Sequence, residues 1–515
     1  MPRRFGALAF LILIAAFAGP NARAALSQAS PTPATTALPS ADSIFAHHHA
    51  AMGRLPSLIA HWSGTIVDNG QAAKYDITAA RDGRFRRTFT LTLTQLNDGS
   101  NLYLDWGQDE NGNVQTSLAQ RHQSMDSRLV RLNDLRFESR GSVVTGITTI
   151  DGRKAYTVSI AMQGTAALVY FDVQSGLLDG CDIGSETIRY RSYRHFSGVA
   201  VPTDIVESGP GENLSITVDK VDFVTESRGE FDPPEQRRPA FPPGVTQVSI
   251  AFDSPRGLIV CPALVNGHLA RFIIDSGSTT SIIDADAAKR LNLTTGGVSH
   301  VEGAAVMTGT VARIDTLNLG GVVFAPLFVQ AVPLRLPSRL QHEGIDGVLG
   351  YDVLTPLVAR IAFTRYELRL IQASSFAYTG TGAVVPIDTS KRIPLVTATV
   401  GSKDQGTFTI DTGSSATLVL YPEFANLHRF DFVNPYESDP NIASGAGGDM
   451  PTRLYQITRL TLGKYDVTDV ATEVIMREEG AFGASNSDGL IGSGALAQFD
   501  AVFLDYGNNR LILEK

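Results

Sequence analysis

The sequence has few cysteines and no excess of positive charge. Its 515 residues include only two cysteines, Cys181 and Cys261, and the formal net charge is -9 at pH 7. Two cysteines in different predicted domains do not make a disulfide framework, and we expect two buried thiols. No Cys/His spacing is typical of a zinc site, so we expect no metal and no cofactor. The negative charge argues against nucleic acid or an anionic membrane as the main partner.

Long apolar runs are also lacking, apart from one at the N-terminus. Arg3 and Arg4 precede the apolar run Ala7–Ala18, and the small-residue site Ala22–Ala24 follows it. This order predicts a secretory signal peptide that is cleaved after Ala24. A short anchoring helix kept in the mature protein is the alternative. No later segment is apolar enough to span a bilayer. We therefore expect an exported protein, periplasmic or secreted, without a stable membrane span.

Short strand-like runs separated by turns make up most of the remaining chain. Turn signals such as Asp68-Asn69-Gly70 and Asn111-Gly112-Asn113 interrupt β-branched and aromatic runs, which indicates a mostly antiparallel sheet in the first domain. The composition predicts, in order, a signal peptide (1–24), a Ser/Pro/Thr-rich linker (25–43), an N-terminal β-sheet domain (44–232), a Pro-rich hinge (233–244) and two related lobes (245–378 and 379–515).

One short phrase occurs twice in the two predicted lobes. Phe272–Ser278 reads FIIDSGS and Phe408–Ser414 reads FTIDTGS, so each copy places one aspartate after an apolar run and before a hydroxyl residue, a glycine and a serine. Further landmarks recur in the same order, which predicts an internal duplication. The matching pairs are Ile314–Gly320 with Ile457–Gly463, Asp346–Gly350 with Asp488–Gly492, and Gly350–Ile371 with Gly492–Leu513.

Each aspartate is predicted to follow a β-hairpin. In the first copy the hairpin turns at Asn266-Gly267, and the glycines Gly277 and Gly413 let backbone amides approach the two carboxylates. If the lobes pack about a pseudo-twofold axis, the carboxylates meet and share one proton. One can then activate water while the other donates to a carbonyl oxygen. This pairing suits hydrolysis of an amide without a metal.

These phrases resemble the pepsin/retropepsin-type aspartic proteases. The resemblance implies that Asp275 and Asp411 are catalytic and that the protein is an aspartic endopeptidase acting on a peptide or protein. It also implies a mainly β, bilobal fold with pseudo-twofold symmetry, in which a monomer is possible because both lobes lie in one chain. It implies three further pairs of roles: turn-bracing hydroxyls (Ser276, Thr412), hydroxyls bonded to the carboxylates (Ser278, Ser414), and bracketing segments (Val348–Gly350, Leu490–Gly492).

The flap is where the sequence departs from that family. The Tyr-Gly phrase of pepsin flaps is missing, and the corresponding positions hold His300–Gly309 in the first lobe and Ala443–Asp449 in the second. Both segments are glycine-rich, as mobile lids often are. An ordinary hairpin tip is the alternative, and either lobe could supply the working flap. The substrate-flap candidates are Gly303, Met307, Gly309 and Gly445.

The first domain resembles periplasmic lipoprotein-carrier-type proteins in two phrases, His195–Pro202 and Val169–Leu178. That resemblance implies a curved antiparallel sheet with an apolar concavity. It leaves a second function open: a periplasmic peptide or lipopeptide binding or carrier protein whose protease-like half is not catalytic.

Overall fold

The computed structural model describes residues 38–68, 71–119, 141–162, 165–209, 212–302, 306–334, 336, 340, 342–428, 441–445, 448–476 and 487–515. They form two compact units. The first contains the described residues up to Leu91, with Gln95–Asp109 and Thr116–Pro234. The second contains Glu235–Lys515 together with two short pieces from earlier in the chain, Thr92–Thr94 and Glu110–Gln115. The predicted signal peptide lies outside the described residues.

The first unit is built on a curved antiparallel sheet, as the sequence predicts. Its thirteen strands are β1 (Ile59–Asp68), β2 (Gln71–Ala80), β3 (Phe85–Thr90), β4 (Gln95–Ser100), β5 (Leu104–Gln108), β6 (Val114–Leu118), β7 (Val143–Ile150), β8 (Arg153–Met162), β9 (Thr165–Asp172), β10 (Leu178–Ile183), β11 (Glu186–Phe196), β12 (Val199–Gly209) and β13 (Glu212–Val224). Their order is β6-β5-β4-β3-β2-β1-β13-β12-β11-β10-β9-β8-β7. Neighbours in sequence are thus neighbours in the sheet, and β1 pairs with β13.

Helix α1 (Ala41–Met52) precedes this sheet. The Ser40 hydroxyl caps it by accepting from the Ser43 N–H, and Gly53 at φ 81° ends it. The side chains of Ile44, Phe45 and Met52 are buried. His48 is buried with them, and its Nδ1 lies 2.9 Å from the Gly176 carbonyl oxygen.

The second unit has a six-stranded sheet to which both predicted lobes contribute equally. The strands are β14 (Gln247–Ala251), β24 (Leu357–Ala362), β25 (Glu367–Gln372), β26 (Ala383–Pro386), β34 (Ala501–Asp505) and β35 (Arg510–Glu514). In the order β14-β25-β24-β34-β35-β26, the first three come from one lobe and the last three from the other. Strands β24 and β34 pair at its centre, so the two lobes share one buried layer.

Each lobe adds a sheet of its own. The first lobe contributes β15 (Val260–Val265), β16 (His268–Ile274), β17 (Ile282–Asp284), β18 (Thr294–Glu302), β19 (Val306–Ile314), β20 (Leu317–Leu319), β21 (Val322–Phe324), β22 (Leu327–Val332) and β23 (Gly347–Leu349), with helices α2 (Ala285–Arg290) and α3 (Tyr351–Leu354). The second contributes β27 (Leu395–Val400), β28 (Asp404–Asp411), β29 (Leu418–Leu420), β30 (Asn441–Gly445), β31 (Gly448–Leu462), β32 (Tyr465–Ile475) and β33 (Gly489–Gly492), with α4 (Pro422–His428) and α5 (Ser493–Leu496).

The two lobe sheets place their aspartates in the same way. In the first, β23 lies between β16 and β17, parallel to β16 and antiparallel to β17. In the second, β33 lies in the same manner between β28 and β29. The predicted Asn266-Gly267 turn joins β15 to β16, with φ values of 49° and 84°. Each aspartate therefore stands at the end of a strand that is paired on both sides.

The cysteines lie in different units and form no disulfide. Cys261 on β15 is fully buried, and burial raises the pKa of its thiol to about 12. Cys181 on β10 is only partly buried, whereas the sequence predicts two buried thiols. No helix of the described ranges is long and apolar enough to cross a membrane.

Candidate active site

The two aspartates stand at the ends of β16 and β28. The strand residues before them are buried, and each carboxylate accepts a hydrogen bond from its own turn. The Gly277 N–H donates to Oδ1 of Asp275 at 2.8 Å, and the Gly413 N–H donates to Oδ1 of Asp411 at the same distance. The main chain of Asp275 is also fixed, because its N–H donates to the Leu349 carbonyl at 3.0 Å. The two turns thus have matching geometry.

A reciprocal set of hydrogen bonds joins the two turns. The Ser276 hydroxyl donates to the Ile410 carbonyl at 2.6 Å, and the Thr412 hydroxyl donates to the Ile274 carbonyl at 2.8 Å. Each hydroxyl also accepts the N–H of the other turn at 3.0 Å. Both side chains are completely buried, so these polar groups have no access to water. We call these four bonds the turn brace.

The brace brings each glycine against the carboxyl group of the opposite turn. A Cβ added at Gly277 would lie 2.6 Å from Cγ of Asp411, and one added at Gly413 would lie 2.2 Å from Cγ of Asp275. Any side chain at either position would therefore push the two lobes apart. Glycine is required here by close approach.

The Asp275 and Asp411 carboxyl groups are hydrogen-bonded to each other. Both residues are partly buried. Burial, followed by the charge of Asp411, raises the pKa of Asp275 well above its usual value. Burial also raises the pKa of Asp411, although the hydrogen bond from Asp275 opposes this rise. The two carboxyls therefore titrate as a pair and share one proton at pH values above the usual range of an aspartate.

The hydroxyls of Ser278 and Ser414 are used differently from the sequence-based expectation. The Ser278 hydroxyl donates to the Thr280 carbonyl at 2.7 Å, and the Ser414 hydroxyl accepts from the Ala416 N–H at 3.3 Å. The N–H groups of these two serines donate to the main-chain carbonyls of Asp275 and Asp411, both at 3.4 Å, and the carboxylates accept the N–H groups of Gly277 and Gly413. The turns thus stabilise the carboxylates through the main chain, and the hydroxyls close the turns.

The segments that bracket the turns differ between the lobes. In the first, the Ser281 N–H and hydroxyl donate to the buried Asp352 carboxylate at 3.0 and 2.5 Å. In the second lobe, Gly494 occupies the position of Asp352. A Cβ at Gly494 would lie 2.7 Å from the Thr417 Oγ1. No role for Asp352 or Ser281 was predicted from the sequence. The Gly-x-Asp spacing was the available signal.

Two tyrosines near the carboxyl pair were not predicted from the sequence. Burial raises the pKa of Tyr506 well above its usual value, and the nearby charges include both aspartates. Its hydroxyl makes no hydrogen bond with the described residues. Burial and the charge of Asp411 likewise raise the pKa of Tyr421. Both phenols therefore stay neutral, and neither adds charge to the site.

The flap candidates fall in different places. Met307 is buried on β19 in an apolar cluster with Ile273, Ile282 and Val348. Gly309, on the same strand, is held so close to β22 that a Cβ would lie 2.0 Å from the Ala331 carbonyl oxygen. Gly445 ends β30 and pairs with Gly448 on β31. Gly303 lies outside the described residues. The second lobe has a corresponding cluster of Val419, Tyr421, Ile475 and Leu490.

In a comparison with protein families, the aspartyl protease family matches two segments of this chain. Residues 261–353 match once and residues 396–495 match again, so each match contains one aspartate and its bracketing segment. Comparison with the curated proteins found no match.

Solved structures resemble separate parts of the chain. A LolA superfamily protein from Nitrosomonas europaea is 10% identical, with a TM-score of 0.30, and the match covers 38% of this chain and 98% of that one. A putative outer membrane lipoprotein-sorting protein domain from Vibrio parahaemolyticus is also 10% identical, with a TM-score of 0.28 and coverages of 36% and 94%. Basic 7S globulin from soybean is 10% identical, with a TM-score of 0.33 and coverages of 52% and 94%.

Removing one hydroxyl of the turn brace should destabilise the second unit. Thr412→Val keeps the side-chain shape but leaves the Ile274 carbonyl and the Ser276 N–H unsatisfied in the interior. We expect the free energy of unfolding to fall by about 2–5 kcal/mol in urea titrations. The control Thr397→Val, on the exposed face of β27, should change it by less than about 0.5 kcal/mol. Equal stability of the two variants would show that the brace does not hold the lobes together.

The raised pKa of Asp275 should also make stability depend on pH. When the pKa of a carboxyl is higher in the folded state than in the unfolded state, its contribution to stability is fully present below the unfolded-state pKa. That contribution is lost as pH rises through the folded-state pKa. Urea unfolding between pH 3 and 7 should therefore show wild-type stability decreasing from about pH 4 upward relative to Asp275→Asn. The exposed control Asp315→Asn should follow the wild type. Parallel curves for wild type and Asp275→Asn would contradict the shift.

Proposed function

We propose that the C-terminal region, which matches the aspartyl protease family over both lobes, is an active aspartic endopeptidase. The observation that carries the proposal is the hydrogen-bonded carboxyl pair held by the turn brace. Two carboxyls so close cannot both ionise easily, and the pair therefore contains one acid and one base at mildly acidic pH. A peptide or protein is the proposed substrate.

In the proposed chemistry the two carboxyls take different roles, Asp411 as the base and Asp275 as the acid. Ionised Asp411 accepts a proton from a water molecule as its oxygen attacks the peptide carbonyl carbon. Protonated Asp275 donates its proton to the carbonyl oxygen, which gives a neutral tetrahedral diol. Transfer of a proton from Asp411 to the amide nitrogen and return of a diol proton to Asp275 then break the C–N bond. The pair ends in its starting state, and no atom of the protein is covalently attached to the substrate.

The turn brace gives this chemistry its geometry. Proton transfer needs heavy atoms within hydrogen-bond reach, and small displacements of reacting groups reduce rates steeply. The two glycines at the contact and the four brace bonds fix the carboxyls relative to each other without any side chain between them.

Each aspartate should be required for turnover. We expect Asp275→Asn and Asp411→Asn each to lower the rate of casein cleavage by at least about 10³-fold, because neither variant retains an acid and a base together. New N-termini produced from denatured casein between pH 3 and 7 are the measurement, and statine-type peptides should inhibit the wild type. The exposed variant Asp315→Asn is the matched control and should cleave normally.

Two outcomes of that experiment would count against the proposal in different ways. Wild-type cleavage by either aspartate variant would overturn the mechanism. Capture of peptides without new termini at any pH would instead favour the alternative, a binding or carrier protein with a non-catalytic protease-like half. A protease restricted to one partner would also leave casein intact, and N-terminal sequencing of the stored protein would then show whether it cleaves itself, for example in the hinge at 233–244.

We also propose that the protein is exported and that Ala25 is its mature N-terminus. The basic, apolar and small-residue segments of residues 1–24 support this. Expression of the full chain in a Gram-negative host, followed by N-terminal sequencing of the periplasmic fraction, should give a chain that begins Ala25-Leu26-Ser27. Recovery of the protein only in the cytoplasm, with the first 24 residues intact, would contradict it.

A further inference from the structure

A short piece from the middle of the N-terminal half belongs to the same compact unit as the aspartates. Glu110–Gln115 follows β5 and includes the first two residues of β6, and only a turn was predicted there from the sequence. The Gly112 carbonyl accepts the Arg237 N–H at 2.9 Å, and Gly112 has a φ of 78°. A Cβ at Gly112 would lie 2.7 Å from Cβ of Arg237. We call Glu110–Gln115 the strap.

The side chain of Asn111 is the best-anchored part of the strap. Its Nδ2 donates to the Phe328 carbonyl at 2.9 Å and to Oδ2 of Asp352 at 3.2 Å. Its Oδ1 accepts the Phe328 N–H at 2.7 Å. Both amide hydrogens and the amide oxygen are therefore used, and the residue is only 6% exposed. A carboxylate could keep the bond from the Phe328 N–H but could donate nothing to Asp352.

Asp352 connects this amide to the catalytic turn of the first lobe. Its carboxylate accepts the N–H and the hydroxyl of Ser281, and the same hydroxyl accepts the Gly350 N–H at 3.0 Å. The next residue, Tyr351, donates its N–H to the Ser278 carbonyl at 2.9 Å. The Ser278 N–H in turn donates to the main-chain carbonyl of Asp275 at 3.4 Å, and the N–H of the adjacent Gly277 donates to the Asp275 carboxylate at 2.8 Å. A continuous path of hydrogen bonds and short main-chain links thus runs from Asn111 to Asp275.

Two other strap residues contact the same short helix, α3. Asn113 Nδ2 donates to the Asp352 carbonyl at 3.3 Å, and Gln115 Nε2 donates to the Tyr351 hydroxyl at 2.9 Å. Gln115 Nε2 also donates to the carbonyl of Thr389, in the second lobe, at 3.3 Å. The ring of Tyr351 packs edge-on against Tyr506, with 5.5 Å between centroids. The strap therefore holds α3 through three groups: the Asp352 carboxylate, the Asp352 main-chain carbonyl and the Tyr351 hydroxyl.

The second lobe has no equivalent carboxylate to satisfy. The position of Asp352 is occupied there by Gly494, whose N–H donates to the Ala416 carbonyl at 3.1 Å, and the Ser493 N–H donates to the Ser414 carbonyl at 2.8 Å. A buried carboxylate requires hydrogen-bond donors, whereas a glycine does not. This difference explains why an added donor is needed in the first lobe.

We propose that Asn111 is a positioning residue for the catalytic aspartate Asp275, so that the N-terminal half contributes to the active site through the strap. Asn111 touches neither substrate nor the reacting carboxyls, and it acts through Asp352 and Ser281. The inference rests on the proposed endopeptidase function, because a positioning role presupposes a reaction.

The test replaces Asn111 by a residue of the same shape that cannot donate when ionised. Asn111→Asp should lower kcat for a casein-derived peptide about tenfold or more at pH 6–7, with KM changed less than threefold. Activity relative to wild type should recover as pH falls to 3–4, because a protonated carboxyl can donate to Asp352 again. The other charged residues of this region are the same in the wild type and in the Asn111→Asp variant, so a difference between their pH profiles reports on position 111. These residues are Asp109, Glu110, Arg237, Asp352 and Arg392.

A matched control and a rescue separate positioning from general damage. Asn318→Asp makes the same charge change in the same unit, but its Oδ1 only accepts the Gly321 N–H, at 2.7 Å, which a carboxylate also does. We expect it to leave kcat and the pH profile unchanged. The double variant Asn111→Asp with Asp352→Asn exchanges carboxylate and amide and should restore at least one third of the wild-type kcat at pH 6–7. A pH profile parallel to wild type, or no rescue, would overturn the proposal.

A second readout does not depend on turnover. Hydrogen exchange of residues 276–281 and 350–353 should be faster in Asn111→Asp than in wild type at pH 7, and exchange in the first unit should be unchanged. If wild type cleaves no peptide, the endopeptidase function fails, whereas this measurement still decides whether the strap holds the turn. Unchanged exchange in a folded Asn111→Asp protein would contradict the proposal, and so would equal loss of protection throughout the second unit.

Discussion

The reciprocal bonds of the turn brace are the constraint on which the site depends. Two hydroxyls, Ser276 and Thr412, each donate to a main-chain carbonyl of the opposite lobe and accept a main-chain N–H from it. Because all of these groups are buried, breaking the contact would leave several polar groups without partners at once. The lobes are thereby held at one separation, and that separation brings together two carboxyls that would otherwise repel each other.

The two lobes reach this arrangement by different means. Both have a strand between the aspartate-bearing strand and its successor, and both use backbone N–H groups to stabilise the carboxylate. The first lobe, however, fixes its bracketing helix with the buried carboxylate of Asp352, whereas the second uses close backbone contact at Gly494. The first solution needs a donor from elsewhere in the chain. The first lobe therefore depends on the strap, whose Asn111 amide donates to Asp352, and the second lobe has no such carboxylate at the equivalent position.

The sequence predicted those parts of the structure that depend on local pattern. The paired phrases around Asp275 and Asp411, the Asn266-Gly267 turn and the mainly β fold follow from residues close together in the chain. The roles of Asn111 and Ser281 do not, because Asn111 lies 241 residues from Asp352 and its amide matters only where the fold brings them together. The Ser278 hydroxyl was assigned to the carboxylate because spacing alone cannot distinguish a hydroxyl donor from the backbone N–H beside it.

The most direct test is an NMR titration of the two carboxyl carbons in protein labelled with ¹³C-aspartate, with Asp275→Asn and Asp411→Asn used to assign the signals. The account predicts two titration steps that are well separated and belong to the pair, with one step far above the usual range of an aspartate. It also predicts that either substitution replaces both steps by a single one. Two independent steps near pH 4, each unaffected by the other substitution, would contradict it.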